Sequence, residues 1–148
     1  MMELDIWEFI IKIGAAAFSG ALMGLEREYK GKPAGLKTYS LVALGAATYI
    51  TISLLFETSE STDMTRIVGQ VVVGVGFLGA GVILHNKNNT MVRGLATSAT
   101  IWCSAAAGCL AGFGLYLPLL AFTIFVILIN LIFGYFNGKF KDESNNNE

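Results

Sequence analysis

The chain has 148 residues, of which 54% are hydrophobic and only 14% charged, with a mean hydropathy of +0.61. That is more apolar surface than a water-soluble domain of this size can bury, so an integral membrane protein is expected. A formal net charge of -1 gives no reason to expect nucleic acid or a strongly charged soluble partner.

A helix needs about 20 mostly apolar residues to cross the hydrocarbon. Five runs qualify: Ile6 to Leu25, Tyr39 to Phe56, Ile67 to Leu84, Leu95 to Leu115 and Leu117 to Phe136. The fold predicted is an all-α polytopic bundle of about five transmembrane helices over residues 1–137, followed by a polar, disordered tail over 138–148. Met1 to Ile11 holds no Lys or Arg, so the first run is read as a retained span and not as a secretory signal. Glu8 and Lys12 near its start are expected to snorkel to one interface. A barrel is excluded because stretches such as Val71-Val72-Val73 do not alternate with period two.

Arg27, Lys30, Lys32 and Lys37 follow the first span, Lys87 and Arg93 the third, and Lys139 and Lys141 the fifth. With five spans these cations share one side, which the positive-inside rule makes cytoplasmic. The other side keeps Arg66 beside Glu57, Glu60 and Asp63, so the amino terminus is expected outside and the carboxyl terminus inside.

Gly20 and Gly24 in the first span stand in GxxxG spacing. The third span is denser still, with Gly69, Gly74, Gly76, Gly79 and Gly81. Two readings follow. Either these glycines let neighbouring helices approach on more than one side, making the third helix central, or Gly74, Gly76, Gly79 and Gly81 permit unwinding that lines a solute path. The fourth span repeats the small-residue pattern with Ala96, Thr100, Cys103 or Ser104, Ala107 and Ala111. Gly74 to Gly79 matches a dinucleotide fingerprint only superficially, because that motif needs a preceding strand and an aqueous setting.

Glu26, Arg27 and Glu28 end the first span, where a carboxylate opposes the helix dipole unless a cation answers it. Arg27, Lys37 or Arg93 are the expected partners of Glu26, in a cytoplasmic cluster that includes Thr97 and Thr100. On the outer side Arg66 and Gln70 lie one helical turn apart, with Asp63 in reach, either as an interfacial anchor or as a gate or partner contact. Asn130 is expected to hydrogen-bond between helices. His85 has no ligand-spaced neighbour, Cys103 and Cys109 are too far apart on one helix to bridge, and no hydrolytic constellation is present. Neither an enzyme, a metal centre nor a cofactor is expected. Membrane lipid, and a second copy or another membrane protein, are the expected partners.

Three ordered blocks are similar to the MgtC/SapB family: Gly20-Ala21-Leu22-Met23-Gly24-Leu25-Glu26-Arg27-Glu28 with Pro33-Ala34-Gly35-Leu36-Lys37-Thr38; Arg66 and Gln70 with Gly74 to Gly81; and Val92-Arg93-Gly94-Leu95-Ala96-Thr97-Ser98-Ala99-Thr100-Ile101-Trp102. Glu26, Arg27, Lys37, Arg66, Gln70, Arg93, Thr97 and Thr100 fall at positions matching these blocks. The resemblance, from about Gly14 to Gly114, implies a small bacterial inner-membrane protein associated with magnesium limitation, acid stress and survival in host cells. It also implies regulation by contact with another membrane complex, the F-type ATP synthase in one relative, and not simple magnesium carriage. Virulence-associated members carry a soluble domain after the last span, whereas this chain ends in a short polar tail and looks closer to the shorter SapB-like members. The function expected is a non-catalytic inner-membrane protein supporting magnesium or envelope-stress homeostasis by binding another membrane component. The alternative is a transporter or channel for Mg²⁺, another cation or a small solute, lined by the third and fourth spans.

Overall fold

The computed structural model describes residues 5–32, 34–56, 63–85 and 92–145, with side chains described outside 84–85 and 135–145. Five helices follow in order: α1 (Ile6–Tyr29), α2 (Leu36–Leu54), α3 (Met64–Val82), α4 (Leu95–Gly112) and α5 (Tyr116–Asn145). Between α3 and α4 a two-residue ladder pairs β1 (Leu84–His85) with β2 (Val92–Arg93) antiparallel, an element the hydropathy pattern did not announce.

Local chemistry starts and stops these helices. Asp5 caps α1 by accepting from the Trp7 N–H at 3.0 Å, and Asp63 caps α3 by accepting from the Thr65 N–H at 2.9 Å. Gly94, which leads into α4, has φ +94°, and a Cβ there would run into the Val82 carbonyl oxygen. Only glycine fits both the left-handed backbone and the close approach.

The core is α1, α2 and α4. A Cβ on Gly20 would lie 2.5 Å from the Tyr39 carbonyl oxygen and 2.9 Å from the Ser40 Cα, so α1 and α2 touch backbone to backbone. On the other flank of α2, Gly108 of α4 abuts the Ala43 carbonyl, with Ala107 and Ala111 fully buried beside it. Small residues thus permit the close approach that van der Waals packing in lipid requires. α5 covers α1 and α4, tied to α1 by a buried 2.7 Å hydrogen bond between the Ser19 and Thr123 hydroxyls.

α1, α3, α4 and the Tyr116–Gly134 part of α5 are long and apolar enough to cross a membrane. α2 is as long as α3, at 19 residues, yet does not reach that apolarity, because it carries Lys37 and a series of Thr, Ser and Tyr residues. It lies in the core, and the hydroxyls of Thr48, Thr51 and Ser53 bond back to carbonyls of Leu44, Ala47 and Ile50 at 2.7–2.9 Å. Enclosed and internally satisfied, it needs less hydrophobicity than a lipid-facing helix.

The expectation that α3 is central does not hold. Of its residues only Val75 and Gly79 are buried, and a Cβ on Gly69, Gly74, Gly76 or Gly81 would meet nothing within 4 Å. Gly79 alone is in contact, 2.5 Å from the Ser98 hydroxyl of α4 when given a Cβ. The interior positions are already taken by the Ala and Gly faces of α2 and α4, which leaves α3 at the periphery. α5 also differs, continuing in helical conformation to Asn145, past the boundary at residue 137.

Candidate functional site

The end of α1, the starts of α2 and α4 and the later half of α5 meet at one end of the bundle, where Arg27, Lys30, Lys32, Lys37 and Arg93 collect. Arg27 turns inward from the last turn of α1 and is 7% exposed, in spite of its charge. Its Nη2 donates to the Thr97 hydroxyl of α4, which fixes α1 against α4. Fully buried Tyr39 of α2 reaches the same turn, its hydroxyl donating to the Thr97 carbonyl at 3.3 Å. Two turns further along α4, the Ser104 hydroxyl donates to the Tyr39 carbonyl at 2.6 Å. Thr100 bonds the Ala96 carbonyl at 2.8 Å and lies 3.4 Å from the Asn130 Oδ1 of α5. One polar network therefore joins all four helices.

Glu26 is answered by Lys30, one turn later on the same helix, and not by Arg27, Lys37 or Arg93. The i,i+4 spacing lets the acid and base meet without help from another element. Glu28 accepts from the Leu36 N–H at 3.2 Å, clamping the α1–α2 connection at the positive end of α2. Lys37 and Arg93 are exposed and stand outside the network. The expected cluster thus resolves into Arg27, Thr97 and Thr100 inside, a Glu26–Lys30 pair at its edge, and Glu28, Lys37 and Arg93 elsewhere. Tyr39, Ser104 and Ser19 read as ordinary helix residues in the sequence, since an aromatic or hydroxyl side chain carries no periodic signal of its partner.

Among the described residues three buried atoms at this end have no partner: Glu26 Oε2, Arg27 Nε and Asn130 Nδ2. A guanidinium enclosed without a carboxylate is costly, and with Nη2 given to Thr97 its Nε–H is the donor left without an acceptor. Among the described residues no three His, Cys, Asp or Glu side chains converge as metal ligands would.

At the opposite end, Lys12 is buried as well and pairs with Glu8 at 2.6 Å. Asp63, Arg66 and Gln70 stand at this end, at the mouth of a groove of about 1040 Å³ between α2 and α3. Thr65 donates to the Asp63 carboxylate from both its N–H and, at 2.5 Å, its hydroxyl, which holds the carboxyl below its usual range. Arg66 and Gln70 are exposed, and Arg66 forms no ion pair among the described residues. Gly74 lines this groove further in, opposite Gly45 of α2. A second groove, of about 400 Å³, lies on the other flank of α3 against Trp102, Ala106 and Leu110 of α4. Gly76 lines neither groove and opens to the outside of the bundle.

Four apolar spans assembled on an inner helix by buried small-residue contacts define a multi-pass helical membrane protein. The chain matches the MgtC family over residues 13–138 and belongs to that family. It is 44% identical over 127 residues to Protein MgtC of Salmonella typhimurium, an alignment covering 86% of this chain and 53% of that one. It is likewise 45% identical over 120 residues to Protein MgtC of Brucella abortus, covering 81% and 49%. The chain therefore spans about half the length of these curated relatives. No solved structure matches it.

Proposed function

We propose that this protein is a non-catalytic component of the bacterial inner membrane that supports magnesium or envelope-stress homeostasis by binding a transmembrane helix of another membrane protein through the outer face of α3. The observation that carries this reading is the exposure of Gly69, Gly76 and Ala80 on an apolar helix whose own chain makes no use of them. Gly76 and Ala80 have the small-xxx-small spacing that admits a second helix at close range. The core of α1, α2 and α4 supports the same reading, because its facing surfaces are filled by Ala and Gly in direct contact. The proposed orientation puts the Arg27 end in the cytoplasm, by the positive-inside rule.

The test is a detergent pull-down with the tagged chain from cells held at low magnesium, comparing wild type with Gly76→Leu. A membrane-protein partner or a second copy, recovered with wild type and lost with the variant, is expected. Failure to recover either, with folded protein in hand, would overturn the reading. So would flux of Mg²⁺, K⁺ or H⁺ in reconstituted vesicles that disappears in Gly79→Leu, since that result makes the protein a conduit.

A further inference from the structure

The groove between α2 and α3 has the dimensions and polarity of a lipid site. At about 1040 Å³ it is at the upper end of the range for pockets that hold ligands, roughly 300–1,000 Å³. It begins at Asp63 and Arg66 and runs along α3 to Leu78. Twelve residues of helix from Arg66 to Leu78 make about 18 Å. One leaflet of the hydrocarbon core is about 15 Å deep, half of the roughly 30 Å total. The groove thus starts at an interface and ends near the midplane, which fits an acyl chain and is too short for a spanning helix.

Its walls change character in the same direction. Charged groups are confined to the mouth, in Asp63 and Arg66, the hydrogen-bonding side chains Gln70, Ser53 and Tyr49 lie within about a turn of it, and the walls beyond are aliphatic or glycine. Gly45 and Gly74 face each other's helices across the groove with open space where a Cβ would stand, so packing within the chain does not explain them. At the mouth a guanidinium that forms no ion pair among the described residues and the Gln70 amide, one turn deeper, offer donors to a phosphate, for which arginine has matching geometry. Asp63 beside them has its carboxyl held below the usual range by hydrogen bonds from Thr65 and the Arg66 N–H; both Thr65 bonds go to Oδ1, leaving oxygen capacity for an ammonium group. A cation and an anion side by side complement a zwitterion better than a net-negative headgroup.

We infer that this groove holds one diacyl phospholipid with an amine headgroup, its phosphate at Arg66 and Gln70, its ammonium at Asp63, and acyl chain laid between Gly45 and Gly74. The inference does not depend on the partner proposed for the outer face of α3, which involves different residues.

The full chain is purified in a mild detergent, stripped of lipid, and titrated separately with phosphatidylethanolamine, phosphatidylglycerol and glycerophosphoethanolamine. Native mass spectrometry reads the bound mass. One phosphatidylethanolamine per chain is expected, retained at least fivefold better than phosphatidylglycerol. Arg66→Gln should lower that occupancy several-fold, and Gly74→Leu, which fills open space, should abolish it while keeping the helical circular dichroism of the wild type. Gly76→Leu should bind lipid as wild type does, even where it loses a protein partner. Equal occupancy in wild type and Gly74→Leu would overturn the assignment. Binding of glycerophosphoethanolamine as tightly as the diacyl lipid would overturn it too, by showing a phosphate site without an acyl groove. A second copy in place of lipid, lost with Gly74→Leu, would assign the groove to self-association instead.

Discussion

Replacing Gly20 and Gly76 separately by alanine adds the same methyl group to two apolar helices in opposite surroundings. At Gly20 the new Cβ would stand 2.5, 2.8 and 2.9 Å from the carbonyl oxygen and carbon of Tyr39 and the Cα of Ser40. These are backbone atoms and cannot rotate away, so α1 and α2 must separate. Three fixed backbone atoms under 3.0 Å put the overpacking at the upper end of its usual range, about 2–3 kcal/mol, partly offset by the roughly 1 kcal/mol that alanine gains over glycine in a helix. The net expectation is a loss of about 1–2 kcal/mol. At Gly76 nothing lies within 4 Å, so only the propensity gain remains and stability should hold or rise by up to about 1 kcal/mol. For a chain of this length a loss of 1–2 kcal/mol corresponds to a Tm lower by about 2–8 °C. Thermal unfolding in mild detergent, at a dilution where the protein is monomeric, reads both variants against wild type. Equal stability of Gly20→Ala and wild type, or destabilisation of Gly76→Ala in the monomer, would refute the assignment of one glycine to the core and the other to a free face.

Thr97→Val removes the acceptor of the buried Arg27 guanidinium and should cost about 1–3 kcal/mol, whereas adding Arg27→Met in the same chain should restore part of it. A double-mutant cycle of unfolding free energies checks this. Gly94→Ala forces a Cβ into the left-handed region and against the Val82 carbonyl, and should lower Tm by more than Gly20→Ala does, because about 1–2 kcal/mol of backbone strain adds to the clash. Asp63 has a depressed carboxyl pKa, so its stabilisation of α3 is fully present above the ordinary value of about 3.9 and is lost as pH falls through the lower folded value. Asp63→Asn keeps an N-cap but should remove that acid-side loss, as read by unfolding as a function of pH.

Length and hydropathy located the helices because lipid imposes them: α1, α3 and α4 start within three residues of the runs marked in the sequence. Spacing also placed Gly20 and Gly24 of α1, and Thr100, Ala107 and Ala111 of α4, on faces that the structure buries or brings against α2. What spacing does not carry is the identity of the neighbour. Glycine says that a backbone can be approached, and α3, the richest in glycine, is the least buried of the four apolar spans. The counter-ion of Glu26 was misplaced for a related reason: three cations at the same end were plausible across space, and the local i,i+4 partner Lys30 won because it needs no tertiary ordering. Arg27 appeared among charged neighbours with no mark that it alone would turn inward, since that depends on Thr97, seventy residues away in the chain.

The peripheral place of α3 makes it a partition. It stands between the groove against α2 and the smaller one against α4, and is joined to the bundle most tightly at the Gly94 end, where β1 pairs with β2 and Gly94 meets Val82. The two clefts therefore share one wall, with Val71 of α3 lining both, so a substitution on that wall alters the shape of each.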